Sequence, residues 1–299
     1  MLLNTSDLLK KVRKIEIKTR GLSNHIFSGE YHTAFKGKGM AFSEVRNYQF
    51  GDDVRAIDWN VTARFNEPYL KVFEEERELT VMLLVDMSAS KEFGTESQFK
   101  KDLITELSAV LSFSAIQNND KIGVIFFSDR IEKFIPPKKG KAHILRIIRE
   151  LINFEPQSGN TNISEALRYF TNVIKKRSIA FLISDFIDNG FLQGNNTGED
   201  SLKIANKKHD VVAIKVFDVR ETEIPSMGLV KLKDAETGKS MWVDTSNERV
   251  RRNYGAWNRK NNDHLKKIFN RCGVDTVTIR TGQSYVKPLI NLFKRRESR

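Results

Sequence analysis

Five oxygen-bearing side chains stand out because of the elements that deliver them. The stretch LLVDMSAS (83–90) is an apolar run that stops at Asp86 and then offers two hydroxyls at alternate positions, Ser88 and Ser90. SGNTN (158–162) carries Thr161 just ahead of a helical pattern, and AFLISD (180–185) ends a second apolar run on Asp185. Each has a plain reading when taken singly. Ser90 or Thr161 would serve as a helix N-cap, and Asp86 or Asp185 as an ordinary loop or cap residue. All five together are hard oxygen donors with no histidine or cysteine among them, a set suited to Mg²⁺, Mn²⁺ or Ca²⁺ rather than zinc.

Rival chemistries fit less well. A serine nucleophile needs an adjacent base, and the five histidines (His25, His32, His143, His209, His264) are scattered without a triad pattern. No G-x-x-x-x-G-K-[ST] phosphate loop occurs, so the chain itself is not expected to hydrolyse ATP. A metal-dependent hydrolase of the nuclease type remains as the alternative. Such enzymes gather several carboxylates around their ions, and here Asp86 and Asp185 have only Asp188 as a nearby addition.

The positioning elements follow from hydrophobic pattern. TVMLLVD (80–86), KIGVIFFSD (121–129), SIAFLISD (178–185) and DVVAIKVFD (210–218) read as strands buried on both faces, and VDTVTIRT (274–281) as a further strand. RIEKFIPP (130–137) reads as a short edge strand stopped by its prolines. Helical spacing is expected over 5–20, 97–117, 141–154, 162–174, roughly 247–271 and 284–296, and GLVKLKDAETGKSMWVD (228–244) reads as a hairpin. Strands alternating with helices predict an α/β fold, a doubly wound, mainly parallel sheet flanked by helices. In such sheets ligands bind beyond the carboxyl ends of the strands, at a topological switch point. Residues 37–78, rich in glycine, aromatic and charged residues, show no clear period and read as short extended pieces and turns. The expected division is an N-terminal helix and irregular/β extension (1–78) packing on the core, followed by one α/β domain (79–299) with the hairpin inserted.

Bulk properties narrow the class. The 299 residues carry a formal charge of +12, and almost all the excess sits in residues 203–299, with 22 Lys/Arg against 11 Asp/Glu. A solvated basic face and an acidic partner are the two readings, and the aromatics there are not interleaved as nucleic-acid stacking requires, so no nucleic acid is expected. No apolar run approaches a membrane span, no signal peptide is visible, and one cysteine, Cys272, excludes a disulfide framework. A cytoplasmic location is the expectation.

The five residues in this order resemble the metal-ion-dependent adhesion site of the von Willebrand factor A fold, in which D-x-S-x-S, a threonine and a second aspartate hold one divalent ion. The resemblance implies that Ser88 and Ser90 bind the ion directly, Thr161 directly or through water, and Asp86 and Asp185 largely through waters. The segment GKGMAFSEVRNYQFGDDVRAIDWNVTARFNEPYLKVFEEERE (37–78) is similar to the signature of the bacterial family called domain of unknown function 58. The matching residues are Gly37, Gly39, Phe42, Arg46, Tyr48, Gly51, Asp52, Asp53, Arg55, Ile57, Asp58, Trp59, Ala63 and Arg64. The chain departs from the family at Lys91, where methionine is frequent. That resemblance implies a non-enzymatic binding module, adaptor or chaperone-like, acting with a MoxR-type AAA+ ATPase and an unknown client protein. For the charged residues of GDDVRAIDW, two readings stay open: an ion-pair network tying the segment onto the A-like domain, with Trp59 as anchor, or a partner-docking surface.

Overall fold

A computed structural model describes residues 40–75, 79–88, 100–192, 197–233 and 240–297. Ten strands occur among them: β1 (Met40–Asn47), β2 (Tyr69–Glu75), β3 (Thr80–Asp86), β4 (Lys121–Phe127), β5 (Ile131–Lys138), β6 (Ile179–Ser184), β7 (Asp210–Phe217), β8 (Leu229–Lys233), β9 (Ser240–Asp244) and β10 (Asp275–Arg280). The α-helices are α1 (Trp59–Phe65), α2 (Lys100–Gln117), α3 (Lys141–Asn153), α4 (Ile163–Val173), α5 (Asn189–Leu192), α6 (Thr197–Lys208), α7 (Val219–Thr222), α8 (Glu248–Cys272) and α9 (Val286–Glu297).

Six strands form one sheet in the order β10-β7-β6-β3-β4-β5. All neighbours pair in parallel except β4 and β5. Counted along the chain from β3, this is the doubly wound 3-2-1-4-5-6 order, with the switch between β3 and β6. The expected architecture is therefore present, including an antiparallel strand on an otherwise parallel sheet.

The sheet is held by period-two alternation. Val81, Leu83 and Val85 of β3 pack on one face with Leu107 of α2, Ile147 of α3 and Leu289 of α9. Met82 and Leu84 pack on the other with Phe170 of α4, Leu202 of α6 and Phe269 of α8. Each buried side chain of this size contributes about 1.5–3 kcal/mol. A one-residue slip of β3 would exchange its entire complement between two differently shaped layers, so register is tightly fixed.

The edge strand expected over 130–137 is β5, which runs through Pro136 and Pro137 and ends one residue later at Lys138. Pro136 and Pro137 fall in the register shift opposite Gly123, between the Ile122–Lys138 and Val124–Ile135 pairs, where the ladder of this edge strand is already interrupted. Helix α6 was not foreseen: Gly198, Leu202 and Ala205 give it too thin an apolar stripe for periodicity to register. Residues 40–75 are more regular than expected. β1 and β2 form an antiparallel pair whose alternation is broken by a register shift between Phe42 and Glu44, and α1 is capped by Asp58, which accepts from Asn60 N and Val61 N.

The charged residues of that segment pair locally. Arg46 makes a bidentate bond with Asp52 at 2.8 Å, Lys71 lies 3.3 Å from Asp58, and Asp53 accepts from Arg55 N. Trp59 is 69% exposed, so it is a surface residue and not an apolar anchor. The 5–20 helix lies outside the described residues.

Candidate metal centre

The switch point places the ends of β3 and β6 side by side, because Val85 pairs with Ile183 in the last parallel rungs. Asp86 and Asp185 therefore arrive at the same sheet edge, both buried. Asp86 is closely held. Its Oδ1 accepts from Ser88 N at 3.0 Å, an Asx-type turn that curls the chain over the strand end. Its Oδ2 accepts from Ser184 Oγ at 2.6 Å. Burial and the charge of Asp185 push its pKa up to about 6, against these bonds and one from the Ser88 hydroxyl. Two buried carboxylates that repel each other form a place where positive charge is stabilised.

Asp185 is held on both oxygens as well. Oδ1 accepts from Ile187 N at 3.0 Å, and Oδ2 accepts from Lys100 Nζ at 3.0 Å. The next residue, Phe186, has φ 59, a left-handed backbone that bulky side chains rarely adopt. Its ring is buried against Phe191 and Phe269, and its N–H donates to Ser184 Oγ at 2.9 Å. Packing thus sustains a strained turn beside the carboxylate, as functional sites often require.

Thr161 sits half-buried immediately before α4. It is not the helix cap, since Asn162 accepts from Glu165 N at 3.0 Å and fills that role. Its loop is tied to the sheet edge by Asn162 N donating to Ser128 O at 2.9 Å. Asp188 completes the connection: Oδ2 accepts from Ile163 N at 2.8 Å and Oδ1 from Gly190 N at 2.7 Å. That carboxylate clamps the Thr161 loop to the Asp185 loop. Asp86, Ser88, Thr161 and Asp185 are placed on this edge by three tied segments; Ser90 and Lys91 lie outside the described residues.

Sequence reasoning missed Ser184, Lys100 and Glu221. Lys100 is 1% exposed and bridges Asp185 and Glu221. Burial works against its ammonium, but the two carboxylates hold its pKa above the ordinary lysine value. Its spacing from Leu103, Ile104 and Leu107 sets a lysine on the inward stripe of α2, which was the available signal.

The donor chemistry fits a divalent ion. It consists of hydroxyls and two aspartates on hard-cation terms, and among the described residues no group of three or more His, Cys, Asp or Glu could hold a metal by itself.

Residues 44–264 match the family described as "Protein of unknown function DUF58". The chain belongs to the DUF58 family. "Uncharacterized protein Rv1480" of Mycobacterium tuberculosis (strain ATCC 25618 / H37Rv) is 27% identical over 293 residues, covering 97% of this chain and 90% of that protein. Among solved structures, an aerotolerance-related membrane protein from Bacteroides fragilis NCTC 9343 superposes with a TM-score of 0.50 at 15% identity, over 73% of this DUF58 chain and 99% of the other. That likeness shows a shared fold. A von Willebrand factor type A protein from Catenulispora acidiphila gives a TM-score of 0.42 at 10% identity, over 74% and 42% of the two chains. No helix among the described residues is long and apolar enough to cross a membrane.

Proposed function

We propose that this DUF58 protein is a non-enzymatic, metal-dependent protein-binding module that captures a partner carboxylate through a divalent ion, Mg²⁺ first and Mn²⁺ or Ca²⁺ as substitutes. The observation that carries the reading is the meeting of Asp86, Ser88, Thr161 and Asp185 at the switch-point edge, with Asp86 and Asp185 buried and mutually repelling. Ser90 would join them as the motif's second hydroxyl. A bound divalent ion supplies a Lewis-acidic position for an incoming carboxylate. The chain supplies neutral hydroxyls and few anionic ligands, so the ion keeps positive charge for the partner. Asp86 orients Ser88, and Asp188 holds the Thr161 loop in place.

The partner proposed from the family resemblance is a MoxR-type AAA+ ATPase, the pair acting on a client protein as adaptor or chaperone. The test is a pull-down of the full chain with such an ATPase in Mg²⁺ and in EDTA. Capture that is lost with EDTA and with Ser88→Ala supports the reading, and capture indifferent to both overturns it. The hydrolase alternative would call on Asp188 as its third carboxylate, and the clamp between the two loops gives Asp188 a structural role without it.

A further inference from the structure

Lys100 belongs to no metal-site pattern, yet its Nζ lies 3.0 Å from Asp185 Oδ2 and bonds Glu221 Oε1 as well. A buried lysine costs several kcal/mol in lost hydration unless its partners are fixed, and here both are. Asp185 is anchored by Ile187 N. Glu221 closes a capping box at the start of α7, its Oε2 accepting from Asp218 N at 3.0 Å. Glu221 O accepts from Tyr254 OH at 2.8 Å and from Asn258 Nδ2, which fastens the turn to α8. Lys100 is therefore a permanent cation held against one carboxylate of the candidate ion site.

We propose that Lys100 is the residue that sets divalent-ion affinity at this site, by competing with the ion for Asp185, and that Glu221 moderates the competition by drawing the ammonium away. Resting on the metal-site reading, this makes the site a weak, exchangeable one. Charge counting fixes the direction. Removing Lys100 leaves the cluster one charge more negative and takes the ammonium away from Asp185 Oδ2. Removing the Glu221 charge leaves Lys100 to Asp185 alone. At an effective dielectric near 20, one unit charge acting on a divalent ion across several ångströms changes affinity by about ten-fold or more.

The experiment is calorimetric titration of Mn²⁺ into the full chain as wild type, Lys100→Met, Glu221→Gln and the double variant, each checked for cooperative unfolding. The expected result is at least about ten-fold tighter binding in Lys100→Met and weaker binding in Glu221→Gln, opposite signs that general structural damage would not produce. Should Lys100→Met fail to fold without the ammonium between Asp185 and Glu221, the double variant is compared with Glu221→Gln and must bind tighter. Wild type that binds Mn²⁺ while the Lys100 variants bind no tighter than their Lys100-bearing parents overturns this proposal and leaves the metal site standing. No binding by any of the four proteins overturns both, and binding only after Lys100 is removed supports the competition while overturning the metal site of the native chain.

Discussion

Ser184 Oγ donates to Asp86 Oδ2 at 2.6 Å while accepting from Phe186 N at 2.9 Å. One hydroxyl at the end of β6 thus fixes the carboxylate at the end of β3 and the strained turn that follows Asp185. The bond spans the switch point and determines how the two halves of the site face each other.

Ser184→Ala removes a bond to a buried carboxylate and orphans a buried N–H. Hydrogen bonds to charged groups contribute about 1.5–3 kcal/mol, so urea denaturation should show a loss of about 2–3 kcal/mol. A loss under about 0.5 kcal/mol, the ordinary surface value, would show that Asp86 is not held this way.

Asp188→Ala should cost about 3 kcal/mol, because two backbone N–H groups lose a charged acceptor in a buried place. It should also weaken Mn²⁺ binding by releasing the Thr161 loop. Amide exchange at Ile163 and Gly190 reads the clamp directly, and unchanged protection there would contradict it.

His209 should contribute to acid sensitivity. Its ring is fully buried, lies 4.3 Å from the Phe170 ring, and has no hydrogen-bond partner on either nitrogen among the described residues. Burial, aided by Lys208 and Arg177, pushes its pKa from 6.5 down to about 4. A depressed value means the unfolded chain takes up the proton first. The His209 contribution is thus complete above pH 6.5 and is lost as pH falls toward 4, at most about 3 kcal/mol. His209→Phe should flatten stability against pH over that window, and an unchanged slope would contradict the assignment.

Gly123 lies at the register shift of the β4–β5 pair, between Ile122 and Val124. A Cβ there would stand 2.9 Å from both Ile135 O and Pro137 N and 2.8 Å from Met82 Sδ. Gly123→Ala should therefore destabilise by about 1–3 kcal/mol, the usual overpacking cost. Thermal unfolding measures it, and a neutral result would mean the β5 edge yields more easily than its pairing suggests.

The sheet was readable in the sequence because continuous apolar runs such as 80–86 and 178–185 are strands buried on both faces, and Asp86 and Asp185 mark their ends. The supporting groups were not. Ser184 looks like one more strand residue, and Glu221 lies in a short turn without periodicity. Lys100 becomes visible only once α2 is known to bury that stripe. Asp188, in the sequence only the spare carboxylate of the hydrolase alternative, is a clamp, a role set by which N–H groups the fold turns toward it. β1 and β2 escaped notice because a bulge shifts their alternation out of phase.

The central claim is tested most directly by calorimetric titration of Mn²⁺ into the wild-type chain and Asp86→Asn. The account predicts one site in the wild type and binding at least about ten-fold weaker, or absent, in the variant, whose neutral amide has lost the charge that attracts the ion. Equal binding by the two proteins, or none by the wild type, would contradict it.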